Sequence, residues 1–288
     1  MVKEKSKTPL LKVKDHSVSG EMFQLIENTE YGFLETFPKP AAQDLPNYYE
    51  SEDYISHTDA KRNLFEKVYH LVRKISLKKK LKLIESCHAE SKTLLDVGCG
   101  TGDFIQVAKQ NNWKVTGVEP NEQARSIANK KNKDSVFDVD QLVKLQPQSF
   151  DVVTLWHVLE HLPNLEEDMA TFKKLLKPTG TLIIAVPNYK SYDAQYYKEF
   201  WAAYDVPRHL WHFNKASMSK LVNKVSLELV KIKPMYFDAF YVSLLSEKYK
   251  HGKMKFFNAI RVATLSNLFS VKTKQVSSLI YVIKATKN

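Results

Sequence analysis

Leu94-Leu95-Asp96-Val97-Gly98-Cys99-Gly100-Thr101-Gly102-Asp103-Phe104 is the stretch on which the reading of this 288-residue chain turns. A short apolar run enters three alternate glycines, and a helical pattern starts directly after them. Glycine tolerates positive φ and lets a ligand approach the backbone, while the start of the helix offers unpaired N–H groups. In a doubly wound sheet such a turn lies at the carboxyl edge of the strands, where ligands collect. About 20 residues on, Val115-Thr116-Gly117-Val118-Glu119-Pro120 ends the next apolar run with an acid, as recognition of ribose hydroxyls requires. The dinucleotide fingerprint is Gly-x-Gly-x-x-Gly, whereas this chain has Gly-x-Gly-x-Gly with Asp96 two residues ahead, which disfavours a nicotinamide enzyme.

Outward from that turn, apolar runs at Thr93–Val97, Lys114–Val118, Ser135–Phe137, Val152–Leu155 and Thr181–Val186 alternate with helical patterns at Asp103–Asn111, Asn121–Lys131 and Glu166–Leu176. Pro178 and Gly180 mark the stop of the last of these. The alternation predicts an α/β fold with a mainly parallel sheet and helices on both faces. Two later runs, Leu227–Ile232 and Leu279–Ala285, enclose helical patterns at Ala239–Tyr249 and Lys255–Phe269. Upstream, Phe23–Ile26 and Tyr31–Phe37 predict a hairpin ended by Pro38 and Pro40, and the apolar spacing across Lys61–Glu85 predicts one or two helices. The expected organisation is an arm over residues 1–40, a helical lid over 41–90, and a main domain over 91–288 with an insertion at about 236–275.

With 43% hydrophobic and 26% charged residues, the composition excludes collagenous and low-complexity classes. No apolar run reaches the roughly 18 residues of a membrane span, and the basic N-terminus lacks a secretory apolar stretch. Cys87 and Cys99 form no disulfide framework and no Cys-x-x-Cys pair, so a reducing, cytoplasmic setting is expected. The net charge of +11 is concentrated: from Lys231 onward eleven Lys and Arg face only Asp238 and Glu247. A local basic surface follows from this distribution, and nucleic acid is an unlikely partner, since a protein that wraps nucleic acid carries basic residues on its site-bearing domain as well.

Asp96–Gly102 and Glu119, taken with Phe150-Asp151-Val152-Val153, Trp156-His157-Val158-Leu159-Glu160-His161 and Pro178-Thr179-Gly180-Thr181-Leu182, resemble a class I S-adenosylmethionine-dependent methyltransferase over roughly Tyr48 to the C-terminus. The resemblance implies a Rossmann-like seven-stranded sheet whose last strand is antiparallel and lies beside the sixth, with S-adenosylmethionine (S-adenosyl-L-methionine) as cofactor. It sets Asp96, Gly98, Cys99, Gly100 and Gly102 around the methionine half, and Glu119 with Pro120 at the ribose. Asp138, or Asp140 two residues on, faces the adenine, and Trp156 and His157 line the pocket beside the methyl. Tyr48–Ser51 and Tyr54–His57 are expected to close over the cofactor as a lid, with Tyr54 and His57 touching it.

Methyl transfer from a sulfonium is an in-line displacement, so most of the catalysis comes from holding the acceptor within about 3–3.5 Å of the methyl. A hydroxyl acceptor also needs a base, for which His157, His161, His209 and His212 are candidates. Glu160 beside His161 supplies only two ligands, so no metal site is expected. The stretch Trp201–Phe213 resembles a Pro-Arg-His-Leu-x-His-Phe segment of a methyltransferase subgroup and makes Tyr204, Arg208 and His209 an acceptor wall. Asp15–Phe33 resembles the zinc-ribbon half that often precedes that subgroup, but Asn28 and Tyr31 stand where its cysteine pair belongs, so a metal-free hairpin is expected. Phe256, Phe257, Ile260, Ala263, Leu265, Leu268 and Phe269 form a helical stripe among lysines, expected to pack on the sheet; a peripheral, membrane-surface helix is the alternative. The function expected is methyl transfer to O or N of a small-molecule or lipid- or glycan-linked acceptor. An RNA methyltransferase and a non-catalytic, cofactor-binding regulator are the competing readings.

Overall fold

The structure, a computed structural model, describes residues 9–41, 43–49, 64–87 and 89–285. The arm contributes three strands, β1 (Leu11–Lys14), β2 (Met22–Glu27) and β3 (Leu34–Phe37), followed by helix α1 (Leu64–Glu85). The main domain then runs β4 (Thr93–Val97), α2 (Asp103–Gln110), β5 (Lys114–Val118), α3 (Glu122–Asn132), β6 (Val136–Phe137), β7 (Phe150–Trp156), α4 (Leu165–Leu175) and β8 (Leu176–Pro187). After α5 (Tyr192–Tyr197) come β9 (Trp211–His212), α6 (Lys215–Lys224), β10 (Leu227–Pro234), α7 (Asp238–His251), α8 (Phe256–Thr273) and β11 (Ser278–Ala285).

The seven-stranded sheet has the order β10-β11-β8-β7-β4-β5-β6. Its strands β4, β5, β6, β7 and β8 pair in parallel, while β11 runs antiparallel between β8 and β10, as expected. Leu94, Leu95, Val152, Val153 and Leu182–Val186 are all fully buried, which is why these strands read as unbroken apolar runs. From β4 the chain winds outward through β5 and β6, then returns to β7 on the other side of β4. That reversal opens a crevice at the carboxyl ends of β4 and β7, and the glycine turn lies there.

The N-terminal strands form a second sheet, β1-β2-β3-β9, whose fourth member comes from the main domain. Leu34 pairs with His212 and Glu35 with Trp211. Val13, Phe23, Leu25 and Leu34 pack with Tyr197, Trp201 and Tyr204 in one apolar cluster, so the arm shares a core with the main domain. The expected strand over Tyr31–Phe37 begins only at Leu34. Gly32 takes φ +79° and donates its N–H to the Asn28 carbonyl, and the Asn28 side chain accepts from the Tyr31 amide, so these residues form the turn. α4 ends at Leu175, ahead of the expected stop at Pro178, because Leu176 already pairs with Phe150.

The expected packing of the α8 stripe holds for Ala263 and fails for most of its large residues. Ala259, Val262, Ala263, Ser266 and Ser270 face inward, whereas Phe257, Ile260 and Leu268 are exposed. Small side chains let the helix lie close to its neighbours, and the Ser266 hydroxyl donates to the buried Asp193 carboxylate at 2.6 Å, fixing that orientation.

Candidate active site

Gly98, Gly100 and Gly102 all take positive φ, and each is constrained differently. A Cβ on Gly98 would lie 2.5 Å from a Val158 methyl, and one on Gly102 2.5 Å from the Asn132 amide, so both glycines are closed against protein. Among the described residues, a Cβ on Gly100 would meet nothing within 4 Å beyond its chain neighbours: it would point into open space at the head of the crevice. Glu119 reaches back to the same turn, its carboxylate accepting the Gly100 N–H at 2.9 Å and the Asn121 N–H at 3.0 Å. Two bonds leave a carboxylate with acceptor capacity for a diol. Pro120 follows it, and Arg125 ties the Glu119 carbonyl at 2.6 Å to Asp138 at 2.8 Å, so Asp138 shares this rim while Asp140 is exposed.

Asp96 is buried at the end of β4, where Thr154 donates to it at 2.6 Å. Burial pushes its carboxyl up to about 7, against the pull of Thr154 and Lys80. Lys80, on α1, holds its ammonium 4.4 Å from the Trp156 ring centroid, and burial lowers its pKa. Trp156 packs edge-on against Phe104, and its buried indole N–H has no acceptor among the described residues. Cys99 is half-buried and its thiol is pushed up by burial, so it contributes packing and backbone to the cradle, not a thiolate. The glycine cradle open at Gly100, the acid opposite it and the orphaned indole N–H match what an adenosyl-methionine ligand needs. Tyr54 and His57 lie outside the described residues.

His157, φ +58°, is clamped between two carboxylates: its Nδ1 lies 3.3 Å from Glu160 and its Nε2 3.0 Å from Asp238, the first residue of α7. Burial lowers its pKa, but the two acids outweigh that and hold it at about 10. Two carboxylates on its two ring nitrogens favour the charged imidazolium, which accepts no proton, so this clamp opposes a base role for His157. Its folded pKa lies above the unfolded value of about 6.5, so its contribution to stability is complete below that pH and is lost as pH rises through about 10. His157→Gln is therefore expected to lower Tm at pH 7 by a margin that closes by pH 10.5; a pH-independent gap in thermal melts would contradict the clamp.

His161 behaves oppositely. Its Nδ1–H donates to the Arg208 carbonyl at 3.0 Å, with the Tyr49 hydroxyl 3.1 Å away, which leaves the Nε2 lone pair free for other partners. Burial and the neighbouring His209 bring its pKa down to about 4, so the ring is neutral through the physiological range. His209 likewise donates Nδ1–H to the Ala203 carbonyl at 2.9 Å and stacks edge-on against His161. Glu160 is 1% exposed, and one of its carboxylate oxygens has no hydrogen-bond partner among the described residues. Glu160, His161 and His209 bring one potential ligand atom each within 4.8 Å of one another, a proximity that sequence spacing did not reveal.

Tyr204 and Arg208, expected on an acceptor wall, are buried between the arm and the sheet. Arg208 donates to Asp15 at 2.9 Å, to Asp205 at 2.6 Å and to the Tyr48 carbonyl at 2.9 Å, so its guanidinium clamps three segments together. Tyr204 packs edge-on against Trp201 and His212. Of the three side chains expected to form the acceptor wall, that of His209 reaches the Glu160–His161 corner, while Arg208 meets it through its backbone carbonyl. Neither Lys80 nor Asp238 was singled out by sequence reasoning, since both acquire their partners only through the fold.

The family described as "Methyltransferase domain" matches residues 61–232. Ubiquinone biosynthesis O-methyltransferases of Azoarcus sp. (strain BH72) and Idiomarina loihiensis are each 29% identical, over 53% and 54% of this chain and 71% and 70% of theirs. Among solved structures, magnesium protoporphyrin IX methyltransferase from Synechocystis PCC 6803 with bound SAH superposes with TM-score 0.55 at 16% identity, over 85% of this chain and all of that one. Geranyl diphosphate C-methyltransferase from Streptomyces coelicolor A3(2) superposes with TM-score 0.54 at 12% identity, over 85% and 97%. At such identities these two structures share the fold.

Proposed function

The chain belongs to the methyltransferase-domain family and is an S-adenosylmethionine-dependent methyltransferase, and from that premise we propose that it methylates a hydroxyl of a small-molecule or lipid-linked acceptor, with His161 taking the hydroxyl proton. When bound, S-adenosylmethionine supplies an electrophilic sulfonium methyl. The residues of the chain do the rest. Gly100 and Glu119 hold the adenosyl-methionine backbone and ribose at the carboxyl edge of the sheet. Val158 packs on Gly98, which sets the 157–161 turn against the cradle. The single observation that carries the reading is the anchoring of His161 Nδ1–H on the Arg208 carbonyl at 3.0 Å, which turns the Nε2 lone pair of the neutral ring toward other partners. Glu160 beside it offsets the imidazolium that forms when the proton arrives. The O-methyltransferase names of the two curated relatives agree with a hydroxyl acceptor.

The test measures S-adenosylhomocysteine release with panels of phenols, catechols and amines. Hydroxyl acceptors are expected to turn over, and His161→Ala to lose about 10²–10⁴ in kcat at unchanged cofactor affinity. The acid limb of the wild-type profile is expected near pH 4, not near 6.5. Turnover of amines alone, or an undiminished His161→Ala, would overturn the assignment while leaving the family membership intact.

A further inference from the structure

We infer that the outward face of α8 is a docking surface for an anionic phospholipid bilayer, a role separate from the chemistry of the acceptor. An ordinary surface helix buries its large apolar residues and exposes its polar ones. α8 does the reverse. Its inner side is Ala259, Val262, Ala263, Ser266 and Ser270, and its outer side carries Phe257 at 94% exposure, Ile260, Leu268 at 61% and Val271. Phe257, Ile260, Leu268 and Val271 fall on one line along the helix, with the Thr264 side chain between the two pairs, so they form a ridge about 20 Å long. An exposed ridge of four large apolar side chains, interrupted by Thr264 alone, marks a contact surface.

Charge identifies the partner. Between Lys248 and Asn288 the chain has nine Lys and Arg and no Asp or Glu. Exposed Lys253 and Lys255 lie at one end of the ridge and Lys272 and Lys274 at the other. A second copy meeting this face across a two-fold axis would oppose cations with cations, which disfavours self-association. An anionic bilayer satisfies both features: apolar side chains enter the acyl boundary while lysines meet headgroup phosphates. No helix of the described residues is long and apolar enough to cross a membrane, so the helix lies along the surface. The paired helix α7 starts at Asp238, in contact with His157, which roots the helical hairpin at the active site.

The experiment is co-sedimentation of the full chain with vesicles of phosphatidylglycerol and phosphatidylcholine in equal parts, and of phosphatidylcholine alone, at low and raised salt. Light scattering without lipid reports the oligomeric state. The wild type is expected to bind the anionic vesicles at least about tenfold more tightly than the neutral ones, and more weakly in salt. The exposed double substitution Phe257→Glu/Leu268→Glu is expected to weaken binding at least about tenfold while S-adenosylmethionine affinity is unchanged. Indifference of the wild type to anionic vesicles, or equal sedimentation of the variant, would overturn the inference. So would a wild-type dimer that the substitutions dissociate, which would make the face an interface between copies.

Discussion

Arg208→Met is expected to cost about 3–5 kcal/mol of folding stability, the range for removing one partner from a buried ionic cluster. Arg208 is 5% exposed, and its guanidinium reaches Asp15, Asp205 and the Tyr48 carbonyl at once. Methionine fills much of the volume but leaves the buried Asp15 carboxylate without its cation. Burial raises the Asp15 pKa, but the Arg208 bond and the Ser19 and Ser17 amides outweigh that and bring it down to about 2. Because the folded pKa lies below the unfolded value, this contribution is complete above about pH 4 and is lost as pH falls through about 2. Urea denaturation at pH 7 checks the size of the loss. A cost under about 1 kcal/mol would mean that the arm is not held by this clamp.

Gly100→Leu is expected to abolish cofactor binding, by at least about 100-fold, in a protein that still folds. The two halves of that expectation have separate origins. A Cβ at Gly100 meets no atom within 4 Å among the described residues beyond its chain neighbours, so the main cost to the folded chain is the left-handed backbone strain at φ +55°, about 1–2 kcal/mol. On the proposed function, the space it would fill is the one the cofactor takes beside the Gly100 amide, whose N–H the Glu119 carboxylate accepts. Gly98→Leu should behave differently: its Cβ already lies 2.5 Å from Val158, so loss of stability accompanies loss of binding. Thermal melts with and without S-adenosylmethionine separate the two variants. A Gly100→Leu protein still stabilised by the cofactor would place the cradle elsewhere.

The β4–turn–α2 unit was legible because it is locally determined: a strand buried on both faces, glycines that need positive φ, and a helix whose start the glycines set. The strands β10 and β11 were legible as apolar runs, whereas the antiparallel place of β11 between β8 and β10 was what the family resemblance implied. β1 was missed because Leu11-Lys12-Val13-Lys14 is short and half basic, and gains its apolar partners only from Phe23 and Leu25 opposite. α8 shows the limit of periodicity, which finds a helix's apolar stripe but not the direction it faces. The five small residues on the other side decided that.

The cofactor turn was legible for the same local reason, whereas the chemistry around His157 was not. Its protonation depends on Asp238, 81 residues away in sequence, and no spacing rule joins them. His209 was picked out as one of several histidines, but its place beside His161 and Glu160 arises where the segment after α5 folds back over the end of β7. Arg208 was selected for its aromatic and charged surroundings, and those same surroundings made it a clamp: Asp15 comes from the arm and Asp205 from its own loop. Lys80 on a helix reads as a solvated cation until Trp156 and Asp96 are brought beneath it.

Calorimetric titration of the purified chain with S-adenosylmethionine and S-adenosylhomocysteine, beside Glu119→Ala, tests the account most directly. The wild type is predicted to bind both with a dissociation constant on the order of micromolar, and the variant to lose at least about tenfold for each, since the carboxylate opposite Gly100 is removed. Absence of binding heat with either ligand in the folded wild type would contradict the cofactor site.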